Sequence, residues 1–334
     1  MAETDISVVV TTYNRAHLLQ ESLESLTRQE TAADFSYDIV VVDNASTDST
    51  KATVEEIASG AVVPVTYRYE GKTGIAHARN RGIVESTGAW IAFFDDDQVA
   101  DPGWLKELFA IARTSGASSI GGRVILSSGY ETPPLRSPFC RSILGETFHG
   151  DLPGPLSRKS LPGTGNVLIK RSAFDSIGYF DDSFSRGCED ADFFRRMRRA
   201  GFPIWYAPKA IVFHIIPPHR FGHTYLLRSA ERQGANYAFL DHKEGGPWVV
   251  ASSCVARISQ ALLVHLPAIF WARLWGDRDA ALGHKSLLFK AIGYTRGAFQ
   301  RLFPRVFAQE NYFSGMNYRL ERDLAKTRFP TNGS

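Results

Sequence analysis

The chain has 334 residues, 44% hydrophobic and 22% charged, with a formal net charge of +3. That length can bury one large core or two smaller ones, and the composition excludes a disordered or fibrous chain. The small net charge argues against a dedicated nucleic-acid binder, and three scattered cysteines (Cys140, Cys188, Cys254) with no CxxC pair exclude a disulfide framework and a structural zinc site.

In chain order, ISVVVTTYN (6–14) reads as a buried strand ending in polar residues. The two acids in MAETDISVVV are unlike the basic start of a signal peptide, so a cytoplasmic protein is expected. Residues 16–29 place Leu18, Leu19, Leu23 and Leu26 at helical spacing. A second buried strand (37–46) ends in DNAS, a capped helix follows over 46–59, and 63–70 alternates like a strand. A helix over 74–87, closed by Gly88, leads to the strand AWIAFFDDD (89–97), and 102–115 is helical with Pro102 near its first turn. Residues 127–165, with Pro133, Pro134, Pro138, Pro153, Pro155 and Pro162, read as a long loop or lid. Strand and helix return over 165–178. Over 185–202 a loop enters a helix with Phe193, Phe194, Met197 and Ala200 inward and Gly201 at its stop. Residues 203–217 are strand-like but interrupted by Pro208.

Beyond residue 222 the pattern is helical and basic, with 15 Lys/Arg against 8 Asp/Glu in 223–334. Its most apolar part is 248–275, but its longest stretch without Lys, Arg, Asp or Glu, 258–272, is shorter than the roughly 20 apolar residues of a spanning helix. Two readings stay open here: a helix in the membrane interface, anchored by Arg257, Arg273, Phe270, Trp271 and Trp275, or a helical cap on the main domain.

Continuous apolar strands separated by helices predict an α/β fold, a Rossmann-like, mostly parallel sheet flanked by helices, with a helical C-terminal extension. Ligands of such sheets bind beyond the carboxyl ends of the strands, which here read TTYN, DNAS and DDD. Asp95, Asp96 and Asp97 have no counter-charge in their own segment. They form either an acidic turn in solvent or a ligand set for Mg²⁺ or Mn²⁺, which take one or two carboxylates with phosphates and waters. Alternation along an extended segment lets Asp95 and Asp97 converge.

Four ordered blocks, SVVVTTYNR, IVVVDNASTDST, GIAHARNRGI with IAFFDDD, and GCEDADFFRRMRRAG, resemble the family 2 glycosyltransferases over roughly residues 5–217. The resemblance implies a glycosyltransferase A fold, with a catalytic domain over 1–222 (nucleotide-binding half 1–115, acceptor-binding half 116–222); the basic helical region over 223–334 lies beyond it, and its charge and aromatic content leave membrane association and a helical cap both open. The resemblance also implies an inverting, metal-dependent transfer from a nucleotide-sugar, with UDP expected, to a saccharide or lipid-linked saccharide in bacterial polysaccharide or glycan assembly.

By the same resemblance Thr11, Tyr13 and Arg15 hold the nucleoside, Asp43 the base, and Arg79 the base or pyrophosphate. Asp95 and Asp96 contact ribose and the metal shell, Asp97 ligates Mn²⁺ or Mg²⁺, and His214 adds a ligand, with His219 and His223 as alternatives. Asp190 is the implied base, with Glu189 orienting it, and Asp192 is a weaker candidate. Each has a plainer structural reading: Asp43 as a turn cap, Arg79 as a helix-surface charge, Asp190 as an N-cap, His214 as a core histidine. Trp104 and GTGN (163–166) are expected on the acceptor side.

Two rivals are a nucleotidyltransferase, which would need a Gly-rich basic loop where this chain reads TTYNRAHLL, and a non-catalytic sugar- or nucleotide-binding module. The expected location is the cytoplasm, with peripheral contact at an anionic inner membrane face.

Overall fold

The computed structural model describes residues 4–127, 135–184 and 187–307. Its first half alternates as the sequence suggests: β1 (Ile6–Thr12), α1 (Ala16–Thr27), β2 (Tyr37–Asp43), α2 (Thr50–Gly60), β3 (Val65–Tyr69), α3 (Ile75–Glu85) and β4 (Trp90–Asp95). β1 lies between β2 and β4, parallel to both, and β3 extends the sheet parallel to β2. The runs are continuously apolar because helices cover both faces. Val8 and Val10 pack in one cluster with Leu19, Leu23 and Leu26 of α1, while Val9 packs with Ala76 and Ile83 of α3 on the other side. Each such leucine, wholly buried, contributes about 1.5–3 kcal/mol.

The second half comprises β5 (Gln98–Ala100), α4 (Trp104–Ser115), β6 (Ser119–Ser127), α5 (Pro138–Ile143), β7 (Gly154–Pro155), β8 (Asn166–Lys170), α6 (Arg171–Ile177), α7 (Glu189–Arg199) and β9 (Ile204–Ile215). The sheet order is β3-β2-β1-β4-β8-β6-β9-β5, with β7 on β9. β8 runs antiparallel to both β4 and β6, so the sheet is parallel at one side and mixed at the other.

Three local expectations change. Among the described residues, the segment read as a loop over 127–165 contains α5, β7 and a bridge from Thr147 to Val124, while Pro133 and Pro134 lie outside those residues. Pro208 does not interrupt β9. The register to β6 jumps from Gly122↔Ala207 to Arg123↔Ile211, so Pro208 sits in a bulge where its missing N–H breaks no ladder bond. Ala200 is exposed rather than inward, because α7 ends at Arg199 and Gly201 (φ +81°) closes it.

After β9 a tight turn (Pro218–Phe221) leads into α8 (His223–Gln260), a π-helical turn (Ala261–His265), α9 (Leu266–Leu274) and α10 (Arg278–Leu302). Residues 308–334 of the expected C-terminal region lie outside the described residues. α8 breaks at Gly246 (φ 72°), just before Pro247, and both of its arms pack on α10. Glycine makes this possible: a Cβ at Gly234 would lie 2.0 Å from the Lys290 carbonyl, and one at Gly293 would lie 1.9 Å from that of Glu231. The outer face is apolar: Trp248, Leu262, Leu263, Phe270, Trp271 and Trp275 are 55% to 85% exposed, and residues 245–276 contain no Asp or Glu. By length and composition His223–Leu274 could cross a membrane, with 22% of its most apolar stretch buried.

Candidate active site

Parallel pairing aligns the strand ends. Thr12 is opposite Asp43, and Thr11 is opposite Asp95, so the three polar endings share one edge of the sheet. Thr11 is buried and Tyr13 is 43% exposed on the following loop. That loop is tied to the one after β2: Asn14 N–H donates to Ser46 Oγ at 2.8 Å, and Thr47 N–H to Asn14 Oδ1 at 2.7 Å. Asp43 is buried with both oxygens engaged, accepting from Ser46 N–H and from the Tyr67 hydroxyl, each at 2.8 Å. The turn-cap reading of Asp43 is therefore realised, and the second lone pair on each oxygen is left for a ligand.

The counter-charges of the acidic triplet come from elsewhere in the chain. Arg15 donates to Asp96 Oδ1 at 2.7 Å and Asp97 Oδ2 at 3.1 Å, and Arg220 lies 3.7 Å from Asp97 Oδ2. β5 pairs antiparallel with β9, setting Gln98 opposite His214, and Ile215 N–H donates to the Asp97 carbonyl. That pairing brings His214 Nε2 to 3.3 Å from Asp97 Oδ1. Burial would raise the pKa of Asp97, but the hydrogen bond and charge of His214, with Arg15 and Arg220, hold it far below the usual carboxylate range. Burial raises Asp95 against the pull of Arg79, and raises Asp96 against the pull of Arg15.

A divalent cation fits part of this set. Asp97 stays ionised, His214 converges on it, and His214 Nδ1 is buried without a hydrogen-bond partner. A carboxylate oxygen with an imidazole nitrogen suits Mn²⁺. Among the described residues no three His, Cys, Asp or Glu converge on one point. Asp95 belongs with Arg79 instead, 3.8 Å away, so the structure brings together two of the three expected ligands. Protein would supply these two and phosphate oxygens the rest, the usual division for a hard ion.

Arg79 is buried rather than a surface charge. One arm of its guanidinium pairs with Glu189 and the other faces Asp95. It thus links the strand-end acids to α7. Asp190 is not an N-cap: Cys188 holds that position with φ 76°, and Asp190 Oδ1 accepts its own helix's Ala191 N–H at 2.7 Å. Burial, then the neighbouring charge of Glu189, push Asp190 up to about 6 against the pull of Arg79, which poises it to accept a proton near neutrality. Glu189 Oε2 is buried without a hydrogen-bond partner. Asp192 is spent on Arg196 at 2.8 Å and Lys243 at 3.2 Å.

Two expectations fail here. Trp104 does not line the acceptor side: it is wholly buried against Phe94 and donates Nε1–H to Asn166 Oδ1 at 2.7 Å. Gly165 serves the acids rather than a sugar, since a Cβ there would lie 2.5 Å from Asp95 Oδ2, whereas Gly163 faces open space. Arg220 was missed by sequence reasoning, and one Arg among 38 Lys and Arg carries no signal beyond following a strand end.

The profile of glycosyl transferase family 2 matches residues 7–178, about half of the chain. The chain belongs to glycosyl transferase family 2. It is 32% identical over 238 residues to the succinoglycan biosynthesis protein ExoM of Rhizobium meliloti, covering 70% of this chain and 74% of that protein. Glycosyltransferase AglE of Haloferax volcanii is 26% identical over 231 residues, 69% of this chain and 71% of its own. Among solved structures, mannosyltransferase PcManGT from Pyrobaculum calidifontis, in complex with GDP-Man and Mn²⁺, superposes with a TM-score of 0.61 at 18% identity, covering 91% of this chain and 89% of that one. S. aureus TarS 1–349 with UDP gives 0.50 at 18% identity, covering 89% and 91%. The family 2 chain is thus an enzyme of the glycosyltransferase class with a glycosyltransferase A fold, not a nucleotidyltransferase or a binding module.

Proposed function

We propose that this glycosyltransferase moves a sugar, with inversion, from a UDP-sugar to a hydroxyl of a saccharide or lipid-linked saccharide in polysaccharide assembly. The observation that carries this reading is the linkage, through Asp95, Arg79 and Glu189, of the Asp97–His214 couple to Asp190, a carboxylate poised near pH 6. PcManGT with GDP-Man and Mn²⁺, TarS with UDP, and the succinoglycan role of ExoM support the donor, metal and acceptor classes.

In this reading residues 1–115 hold the donor, 116–222 face the acceptor, and the helices beyond 222 contact a membrane. Thr11, Tyr13 and Asp43 receive the nucleoside, and Arg15, Arg79 and Arg220 supply positive charge to the diphosphate. Asp97 and His214 hold Mn²⁺ or Mg²⁺, with Asp95 and Asp96 around the ribose. When bound, the cation neutralises charge on the departing diphosphate. Asp190 takes the acceptor's hydroxyl proton as that oxygen bonds to the anomeric carbon, and the bond from that carbon to the diphosphate breaks with its electrons leaving on the phosphate. Glu189 and Arg79 fix the position and basicity of Asp190.

The exposed face of Trp248, Phe270, Trp271 and Trp275, free of acids and flanked by Arg273, supports peripheral contact with an anionic leaflet, where a lipid-linked acceptor would be met. Incubating the protein and Mn²⁺ with a panel of nucleotide-sugars, and membrane extract as acceptor, tests the reading. Transfer from a UDP-sugar is expected, and transfer from none of the panel would contradict it.

A further inference from the structure

The start of α7, which carries Glu189 and Asp190, is covered by the first arm of α8, residues 223–245, ahead of the break at Gly246. Ala191 is buried in one apolar cluster with Phe184 and Leu240, and Cys188, Tyr237 and Phe239 pack against it. The Phe184 and Phe239 rings lie 4.8 Å apart. The approach is close: Gly187 has φ +102°, and a Cβ there would lie 3.3 Å from Asn236 Nδ2.

Ion pairs lock the same two helices, with complementary signs across the contact. Lys243 of α8 bonds to Asp181 and, at 3.2 Å, to Asp192, so one ammonium holds an acid on each side of the Glu189–Asp190 pair in sequence. Arg195 of α7 donates to Asp241 at 3.0 Å and to Glu244 at 2.8 Å, and Arg199 pairs with Glu244 as well. Rings complete the grip: Lys243 Nζ lies 4.7 Å over Phe184, and the Arg195 guanidinium 5.5 Å over Tyr237. Asp181 directly follows Phe180, whose backbone exchanges two hydrogen bonds, at 2.8 and 3.0 Å, with Asn80, next to Arg79 on α3. Lys243 therefore ties α8 to both sides of the Arg79–Glu189 pair. An isolated exposed ion pair holds little, but a partly buried network with shared partners fixes a geometry.

We propose that Lys243 and Arg195 are positioning residues for the transfer: they brace the start of α7 against α8 and so fix Asp190 relative to Arg79 and the acids at the strand ends. The first arm of α8 then works as part of the catalytic unit, and the break at Gly246 parts it from the apolar face beyond. A base must stand within hydrogen-bond reach of the hydroxyl it serves, and a misplacement of about 1 Å costs up to about a hundredfold in rate. The brace follows from the contacts, and its bearing on the rate rests on the reading of Asp190 as the base.

Hydrogen–deuterium exchange over residues 188–195 of the full chain reads the brace without any transfer; Asp192 N–H, bonded to the Cys188 carbonyl at 2.9 Å, lies within it. Lys243→Met keeps an apolar chain over Phe184 and removes the charge, and should speed exchange there about tenfold or more while β1 exchanges as in wild type. With Mn²⁺, a nucleotide-sugar that wild type uses and membrane extract as acceptor, the same variant should lose about tenfold to a hundredfold in kcat at unchanged donor KM. Lys243→Arg should restore both readouts, whereas a lysine that only added stability would lower the melting temperature and leave kcat of the folded enzyme unmoved. Glu244→Gln, which loosens the hold on Arg195 and Arg199, should shift both readouts the same way and keeps the test open if Lys243→Met fails to fold. Wild-type exchange over 188–195 in the folded variants overturns the brace, and faster exchange with wild-type kcat overturns its role in transfer. Faster exchange in Lys243→Met, beside a wild type that transfers from no nucleotide-sugar, would sink the transferase reading and leave the brace standing.

Discussion

Asp190→Asn separates catalysis from stability. The substitution keeps the size of the side chain and the oxygen that accepts Ala191 N–H, and removes only the charge and the basicity. The fold raises the Asp190 pKa from 3.8 to about 6. Its stabilising effect is therefore whole below pH 3.8, where the carboxyl is protonated in both folded and unfolded chains, and is lost as pH rises through 6. Above pH 6 the ionised carboxylate costs up to about 3 kcal/mol, at roughly 1.4 kcal/mol per pH unit. Asparagine carries no such cost, so the variant should melt higher than wild type at pH 8, by roughly 2–4 °C for each kcal/mol recovered. The gain should vanish near pH 4. Transfer should fall by about 10²–10⁴ as the general base is lost, with UDP binding retained. Differential scanning calorimetry at pH 4 and pH 8, beside a transfer assay, reads both effects. A variant that melts lower than wild type at pH 8, or that turns over fully, refutes the reasoning.

Glu189→Gln removes the like charge that helps to raise Asp190 and frees Arg79 to face it, so the acid limb of the kcat/KM profile should move below pH 6, and a pH–rate series checks the direction. Gly165→Ala drives a methyl to 2.5 Å from Asp95 Oδ2 and 2.7 Å from Gln98 Nε2. It should cost about 1–3 kcal/mol of stability and weaken nucleotide binding, read by melting and by UDP titration.

The first half of the sheet was legible because its strands are buried on both faces: Val8, Val9 and Val10 leave no polar alternation to mislead, and polar endings mark one end of the strands. Asp97 and His214 stand out as candidates because they follow apolar runs, and Asp190 because it opens a helix beside a second acid. What the sequence hid depends on long-range pairing. His214 meets Asp97 only because β5 pairs with β9, and β5 is three residues long. The bulge that houses Pro208 exists only opposite β6, and alone Pro208 reads as a strand breaker. Trp104 shows the opposite error: an aromatic near the acids suggests the acceptor side, but its indole N–H has a partner in the core, Asn166. Arg15 and Arg220, which neutralise the acids, carry no local mark of that role.

Titration of the protein with UDP, with and without Mn²⁺, in wild type and Asp97→Ala, tests the central claim most directly. The geometry of Asp97 and His214 predicts UDP binding that strengthens with Mn²⁺ and loses that dependence in Asp97→Ala. UDP binding that is indifferent to Mn²⁺ in wild type, or Mn²⁺-dependent binding that survives in Asp97→Ala, would contradict the assignment of Asp97 to the metal and diphosphate.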